Sequence, residues 1–366
     1  MPKKPIRVLI TGAGGGSVGS QVLDALKMAK TSYYIVSTNT NPNKTGLYSV
    51  DKGYLLPKAE DEQYIFELLK ICKYEKIQVI IPGSEQELGV IGSNAEKLKE
   101  NKILPLINTS EVIEICQNKL KTMEALKANG LLYPKYAIFE GKTLPRGFSF
   151  PVVIKPSRGG GGSRNVFIIQ DQNDLEFYGT YYKKKGLIPL IQEYIGTPSH
   201  EYTVGVLSDF EGKILGSIAL RREISGNLST LLQIENKKDK NNPLTLSTGV
   251  SQGFVDDYND VRKYCEKIAF ALGSKGPLNI QCRKTPKGIY TMEINPRFSG
   301  TSSIRALLGF NEPDTLIRKY LLGEKITKMR YKKGLVLREF RMEYIKFSQI
   351  NQLKKQGYIR NSRGRN

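Results

Sequence analysis

Histidine and cysteine are scarce in this chain. Its single histidine, His200, stands next to Glu201 and reads as a loop residue rather than a catalytic base. The four cysteines, Cys72, Cys116, Cys265 and Cys282, are scattered. None forms a C-x-x-C pair, which argues against a zinc site or redox motif and fits a reducing cytoplasm. No apolar run is long enough to span a bilayer, and Met1–Pro5 leads straight into a strand-like run without a signal-peptide pattern. The expectation is therefore a cytoplasmic protein with no membrane partner. Acidic residues are in deficit, and the formal net charge is +21. Residues 325–366 carry only two acids, Glu339 and Glu343. The lysines are otherwise spread along the chain, which reads as general composition rather than a binding face. The basic tail lacks interleaved aromatics or any recognised module, so a nucleic-acid partner is not expected. Lys354–Asn366 reads as a frayed end.

A further absence decides how the first glycine cluster is read. Residues 10–21, ITGAGGGSVGSQ, contain Gly14-x-Gly16-x-x-Gly19 between a strand-like run and a helical pattern. That order suits a dinucleotide fingerprint, which also needs an acid at the end of the second strand. Here that strand continues Asn39-Thr40-Asn41-Pro42, with no Asp or Glu. The glycines then read as a tight turn that lets the helix pack closely on the sheet.

What is present is a change of periodicity. Strand patterns at Arg7–Thr11, Tyr34–Thr38, Lys52–Leu56, Gln78–Pro82 and Leu104–Ile107 alternate with helical patterns at Val18–Lys30, Asp61–Tyr74 and Glu85–Lys99. This predicts a parallel α/β domain with helices on both faces. Residues 110–130 read as two short helices. Beyond Pro134 strands dominate, interrupted by helices at Asp174–Lys184 and Asn259–Leu272. The second half thus reads as α+β with antiparallel sheets.

Two stretches there carry chemistry. In PVVIKPSRGGGGSRNVFII, 151–169, a strand ends in Lys155, and Gly159, Gly160, Gly161, Gly162 and Ser163 precede another strand. Such a loop can fold over a triphosphate and offer it backbone N–H groups, with Lys155 neutralising charge from below. In GIYTMEINPRFSG, 288–300, Glu293 and Asn295 share one face of a strand, with Met292 and Ile294 turned to the core. A three-residue hairpin loop, Pro286-Lys287-Gly288, would pair Thr285 with Ile289 and set Gln281 opposite Glu293. Gln281, Glu293 and Asn295 would form an oxygen-rich patch suited to a hard divalent ion whose shell is completed by phosphate and water. Arg297 follows, able to grip a phosphate or carboxylate.

Lys119, Lys155, the glycine loop, Gln192-Glu193-Tyr194-Ile195, Glu201, Gln281 and Met-Glu293-Ile-Asn295-Pro-Arg297 together resemble the ATP-grasp superfamily. The likeness is to one half of the large subunit of carbamoyl phosphate synthetase and its stand-alone carboxylate–amine ligase relatives, and it covers roughly residues 6–325. It implies an N-terminal Rossmann-like pre-ATP-grasp domain at 1–109 and a helical linker at 110–150. An ATP-grasp small lobe at 151–196 and a large lobe with the metal site at 197–325 would follow, then a C-terminal strand and basic tail at 326–366. It further implies ATP and magnesium as cofactors, with manganese as the alternative ion. Lys119 and Lys155 would contact the phosphates. Glu193 would take the adenine amino group, aided by Gln192 and the backbone of Tyr194 and Ile195, and Glu201 would hold the ribose. Arg297 would stabilise the transferring phosphoryl group, with Arg222 assisting. The turn at Gly14 and Gly15, facing the cleft, would receive the carboxylate together with Ser299 and Arg305.

Departures narrow the activity. The synthetase motif carries a second arginine three residues after that of Asn-Pro-Arg, where this chain has Gly300, so bicarbonate is not the expected acid. The family's histidine before Thr-Gly is Ser247 here. The sequence shows one ATP-grasp unit, whereas making carbamoyl phosphate from bicarbonate and ammonia takes two phosphorylations, and one histidine cannot build a Cys–His glutaminase. The reading is a carboxylate–amine ligase working through an acylphosphate on a small-molecule carboxylate and an amine or ammonia. The alternatives are a carboxylate or carbamate kinase and, more distantly, a basic nucleic-acid-binding protein. A homodimer is compatible with this reading.

Overall fold

The structure is a computed structural model and describes residues 4–141, 143–157, 165–224, 226–339 and 342–361. Its first unit runs β1 (Ile6–Ile10), α1 (Val18–Lys27), β2 (Tyr33–Asn39), β3 (Lys52–Leu55), α2 (Tyr64–Glu75), β4 (Val79–Ile81), α3 (Glu85–Ser93), α4 (Ala95–Glu100) and β5 (Leu104–Pro105). These strands are parallel in the order β3-β2-β1-β4-β5. The apolar runs of β1 and β4 are buried on both faces, as covering helices require. The long helical pattern after residue 85 breaks at Asn94, whose Nδ2 donates to the Val90 carbonyl at 2.9 Å.

Two helices follow, α5 (Ser110–Gln117) and α6 (Lys119–Ala128), each capped by the residue before it. The Thr109 hydroxyl accepts from Val112 N and the Asn118 side chain from Leu120 N and Lys121 N. An antiparallel sheet in the order β6-β9-β7-β8 forms from β6 (Tyr136–Ile138), β7 (Val152–Pro156), β8 (Phe167–Ile169) and β9 (Pro189–Glu193), with α7 (Gln172–Lys184) between β8 and β9. The small lobe thus begins earlier than residue 151. Strand β6 and Phe139, whose ring is buried in the lobe's core, come from the stretch expected to be only a helical linker. Expected loop residues Gly159–Gly162 and Ser163 lie outside the described residues.

The large lobe comprises β10 (Glu201–Ser208), β11 (Ile214–Arg222), α8 (Gly226–Ser229), β12 (Thr230–Ile234), β13 (Leu244–Ser247), β14 (Gly253–Asp256), α9 (Asn259–Ala271), β15 (Pro277–Thr285), β16 (Gly288–Asn295), α10 (Ser302–Leu307), α11 (Glu312–Leu321) and β17 (Gly334–Val336). Its main sheet is antiparallel, in the order β16-β15-β10-β11-β14-β17, and β12 and β13 pair separately. Helix α9 covers one face of that sheet. On the other, Ile218, Leu220, Phe310 and Leu316 share one continuous apolar core with Val8, Ile10, Val22 and Leu26 of the first unit. Polar contacts hold the same junction. Tyr33 Oη donates to Asp314 at 2.6 Å, and Asn311 Nδ2 donates to the Ala25 carbonyl at 2.7 Å. The two units are therefore one packed body at this seam, which fixes the cleft they share.

The chain's last segment overturns one expectation. Residues 354–360, expected to be frayed, complete α12 (Phe347–Gln356) and form β18 (Tyr358–Arg360). Strand β18 pairs antiparallel with β3, extending the first sheet, and Leu353 and Ile359 are buried against Leu47 and Tyr48. The apolar residues, spaced among lysines and glutamines, supply the anchor that net charge conceals. No helix among the described residues is long and apolar enough to cross a membrane.

Candidate active site

The site is built on the β15–β16 hairpin. Thr285 pairs with Gly288, so the turn holds two residues, Pro286 and Lys287, and not three. That register would set Gln281 opposite Met292. A bulge at Met292 absorbs one residue, and beyond it Gln281 faces Glu293 and Asn279 faces Asn295. The expected pair is present, but a bulge and not the loop length creates it. The bulge also breaks the alternation. Thr291 and Ile294 are buried, while Met292 is only half-buried.

Lys119, the first residue of α6, and Lys155, near the end of β7, approach Glu293 from two other elements. Burial and the neighbouring Lys119 charge pull the Lys155 ammonium down to about 8, with Glu293 opposing. Burial likewise lowers Lys119, against the charges of Glu293 and Glu85. Two partly desolvated cations thus crowd one carboxylate, an arrangement that a polyanion relieves. Lys119, Glu293, Asn295 and Arg297 line one cavity of about 420 Å³.

Arg297 Nη2 donates to Asn295 Oδ1 and to Glu85 Oε1, both at 3.1 Å. Glu85 comes from the first unit, where Ser84 caps α3 just beyond the carboxyl end of β4. Sequence reasoning missed it. The available signal was its place in a first helical turn over the carboxyl edge of a parallel sheet, where such folds bind ligands.

Several expected site residues are committed elsewhere. Glu201 is 5% exposed. Its Oε1 accepts from Arg222 Nη1 at 2.7 Å and from the Ser247 hydroxyl at 2.8 Å. Its Oε2 accepts from Arg283 Nε at 3.0 Å and Nη2 at 2.9 Å. Burial acts to raise the carboxyl's pKa, but the Arg283 and Arg222 charges outweigh it and hold it below the ordinary value. Both oxygens are thus taken by protein donors, which argues against a ribose contact. Arg222, also buried, spends its Nη2 on the carbonyls of Thr248 and Val250. Arg305 is 1% exposed. Its guanidinium lies on Glu312 and on Asn279 Oδ1, inside the core. Ser299 is buried too, with its hydroxyl on that of Thr301 at 2.6 Å.

The segment expected around adenine has mixed surroundings. Glu193 is half-buried, and its Oε2 accepts from Lys135 N at 3.3 Å. The Gln192 amide is buried, with no partner for Nε2 among the described residues. The Ile195 carbonyl accepts from Arg283 Nη1 at 3.0 Å, and the same guanidinium lies 4.9 Å from the Tyr194 ring. Arg283, unremarked in the sequence, therefore ties this segment to Glu201.

In the first glycine turn Gly14 has φ +129° and Gly15 φ +62°. Gly14 N donates to the Ser20 hydroxyl, and Gly15 is exposed. A Cβ at Gly19 would stand 2.7 Å from the Thr11 carbonyl oxygen, the close helix–strand approach expected of this turn. At the end of β2, Asn39 donates to the Ala13 carbonyl at 3.1 Å.

Residues 8–107 match the family model described as PylC-like, N-terminal domain, and residues 245–343 the one described as ATP-grasp in the biosynthetic pathway with Ter operon. The carbamoyl phosphate synthase large chain of Clostridium beijerinckii is 26% identical over 344 residues, 89% of this chain and 30% of that one. An ATP-grasp match thus covers residues 245–343. Among solved structures, the chain is similar to biotin carboxylase from Campylobacter jejuni, with a TM-score of 0.61 at 18% identity over 86% of this chain and 70% of that one. It is also similar to L-amino acid ligase from Bacillus licheniformis, with a TM-score of 0.61 at 17% identity over 87% and 75%. The chain spans about 30% of the length of the curated relatives it matches.

Proposed function

We propose that this chain is an ATP-dependent carboxylate–amine ligase. The observation that carries the reading is the meeting of Lys119, Glu293, Asn295 and Arg297 around one cavity, with Lys155 close enough to feel the charges of Lys119 and Glu293. Lys119 and Lys155 hold the ATP phosphates, which restore full charge to both ammonium groups. The donor set at Gln281, Glu293 and Asn295 offers oxygens of one carboxylate and two amides. That fits a hard ion such as Mg²⁺, which arrives with ATP and draws the rest of its shell from phosphate and water. Bound there, the ion would neutralise phosphate charge. Arg297, oriented by Glu85 and Asn295, lies where charge develops on the transferring phosphoryl group. A carboxylate oxygen attacks the γ-phosphorus and the bond to ADP breaks. The amine nitrogen then attacks the acyl carbon, the C–O bond to phosphate breaks, and the amine proton leaves to solvent or phosphate. The protein's share is placement and electrostatics.

An ADP-release screen over amino acids, dipeptides and sugar acids, with and without an amine, tests this. Release should require an organic carboxylate, the amine product should be an amide, and hydroxylamine should yield a hydroxamate. Full release with bicarbonate alone, or an acylphosphate that persists with every amine, overturns the ligase reading. Calorimetry should show magnesium-dependent ATP or ADP binding and none of NADH.

A further inference from the structure

Gly300 leaves the loop after Arg297 without the second cation that the synthetase motif carries there. Residue 300 cannot readily bear a side chain, because a Cβ would stand 2.9 Å from the Gly249 carbonyl oxygen. A cation nevertheless reaches this loop from elsewhere. Strand β17 pairs with β14, with Val336 opposite Gly253. Two residues further on, Arg338 N donates to Gln252 Oε1 at 3.2 Å. The Arg338 side chain turns inward, and its Nη2 donates to the Gly300 carbonyl at 2.6 Å and to the Ser303 hydroxyl at 3.3 Å. Ser303 in turn donates to Gln21 of α1, so the guanidinium sits where the C-terminal segment, the Arg297 loop and the first unit converge.

Among the described residues no carboxylate stands within ion-pair distance of Arg338, and none offers its buried Nε a hydrogen-bond partner. Burial pulls its pKa down to about 10, opposed only by the charge of Asp24. The buried arginines of the large lobe contrast with this half-buried one: Arg222 and Arg283 share Glu201, and Arg305 holds Glu312. A largely desolvated guanidinium without a carboxylate is costly alone and favourable once an anion supplies the charge.

We propose that Arg338, with Ser303 and the Gly300 loop, forms an anion subsite that receives an anionic group of the carboxylate substrate, on the acid side of the cleft rather than the nucleotide side. This rests on the ligase reading for the identity of the ligand, but the subsite itself can be tested without turnover. The full chain, saturated with magnesium and a non-hydrolysable ATP analogue so that the triphosphate positions are filled, is titrated with inorganic phosphate as the probe. Calorimetry follows the native chain and its Arg338→Met and Arg338→Lys variants, with thermal melting to show that each is folded. The native chain should bind phosphate. Arg338→Met should weaken this at least tenfold while leaving affinity for the analogue within twofold, and Arg338→Lys should recover part of the loss. Equal phosphate affinity in the native chain and Arg338→Met, or no phosphate binding by the native chain, overturns the subsite. With a carboxylate found in the ADP-release screen, Arg338→Met should raise KM for that acid at least tenfold and leave KM for ATP unchanged. A raised KM for ATP with an unaltered KM for the acid places Arg338 on the wrong ligand and overturns the proposal. If no acid supports ADP release the ligase reading fails, and the phosphate titration still decides the subsite.

Discussion

Glu201 and Glu293 lie on strands that flank β15 in the same sheet, yet they occupy opposite situations. Glu201 faces Arg283 across the register and Glu293 faces Gln281. Glu201 is buried, with both oxygens taken by arginines and a serine. Glu293 opens to the cavity, near two lysines whose charge burial has weakened. The first carboxylate is spent on holding the fold, and the second is left for a ligand. In sequence the two look alike, each a glutamate on a strand amid family-like residues. The difference lies in which cations the sheet delivers to each.

Substitutions should separate them. The largest effect is expected from Glu201→Ala, which leaves Arg222 and Arg283 buried without their carboxylate and should lower stability by about 3–5 kcal/mol. Urea unfolding measures this. A stable variant that has lost only ATP affinity would restore the ribose role. Since the folded Glu201 has a lowered pKa, its contribution is complete above the ordinary carboxylate range and fades as pH falls below it. Glu293→Gln should show the converse, with turnover reduced by about 10²–10³-fold and the unfolding midpoint little changed. Near-normal turnover would remove Glu293 from the metal site.

A smaller effect is expected far from the cleft. Leu353→Ala should cost about 2–3 kcal/mol, because Leu353 is fully buried where the last segment docks. Hydrogen exchange should then rise first in residues 52–55 and 358–360. If protection there is unchanged, the docking does not hold that sheet edge. The smallest effect is a fraction of one proton. Near pH 8 the Lys155 ammonium is partly deprotonated, and bound phosphates should raise its pKa again. ATP binding at pH 8.5 should therefore take up a proton, and affinity should decline as pH rises above 8. Calorimetry in buffers of different ionisation enthalpy reads this, and a result independent of buffer would rule out Lys155 as the phosphate ligand.

Local pattern made the parallel unit legible. Its strands are apolar runs, and its helices carry their caps in sequence, as Ser17 and Ser84 do. The pairing of Gln281 with Glu293 was legible as an outcome but not in its cause. A two-residue turn with a compensating bulge at Met292 gives the same pair as a three-residue turn without one, and sequence spacing cannot tell these apart. The commitments of Glu201, Arg222 and Arg305 were hidden because their partners lie on other strands and helices, and burial of an ion pair leaves no periodic mark. Glu85 and Arg338 were hidden for a related reason. Each reaches the Arg297 loop from a separate part of the chain, and only the packed seam between the units brings them there.

The pairing of β18 with β3 bears on how the protein is made. Strand β3 ends at Leu55 and its outer neighbour begins at Tyr358, so about 300 residues of synthesis separate them. At about 5–20 residues per second, the ribosome needs roughly 15–60 s to bridge that gap. Throughout this interval the nascent first domain presents an open row of backbone donors and acceptors along β3, the kind of edge that recruits foreign strands. Lys52, on that strand, is buried with its ammonium on Glu75 at 2.7 Å, and it lies 4.5 Å from the Tyr358 ring once β18 has docked. The docking strand is thus met by a cation already paired within the first unit.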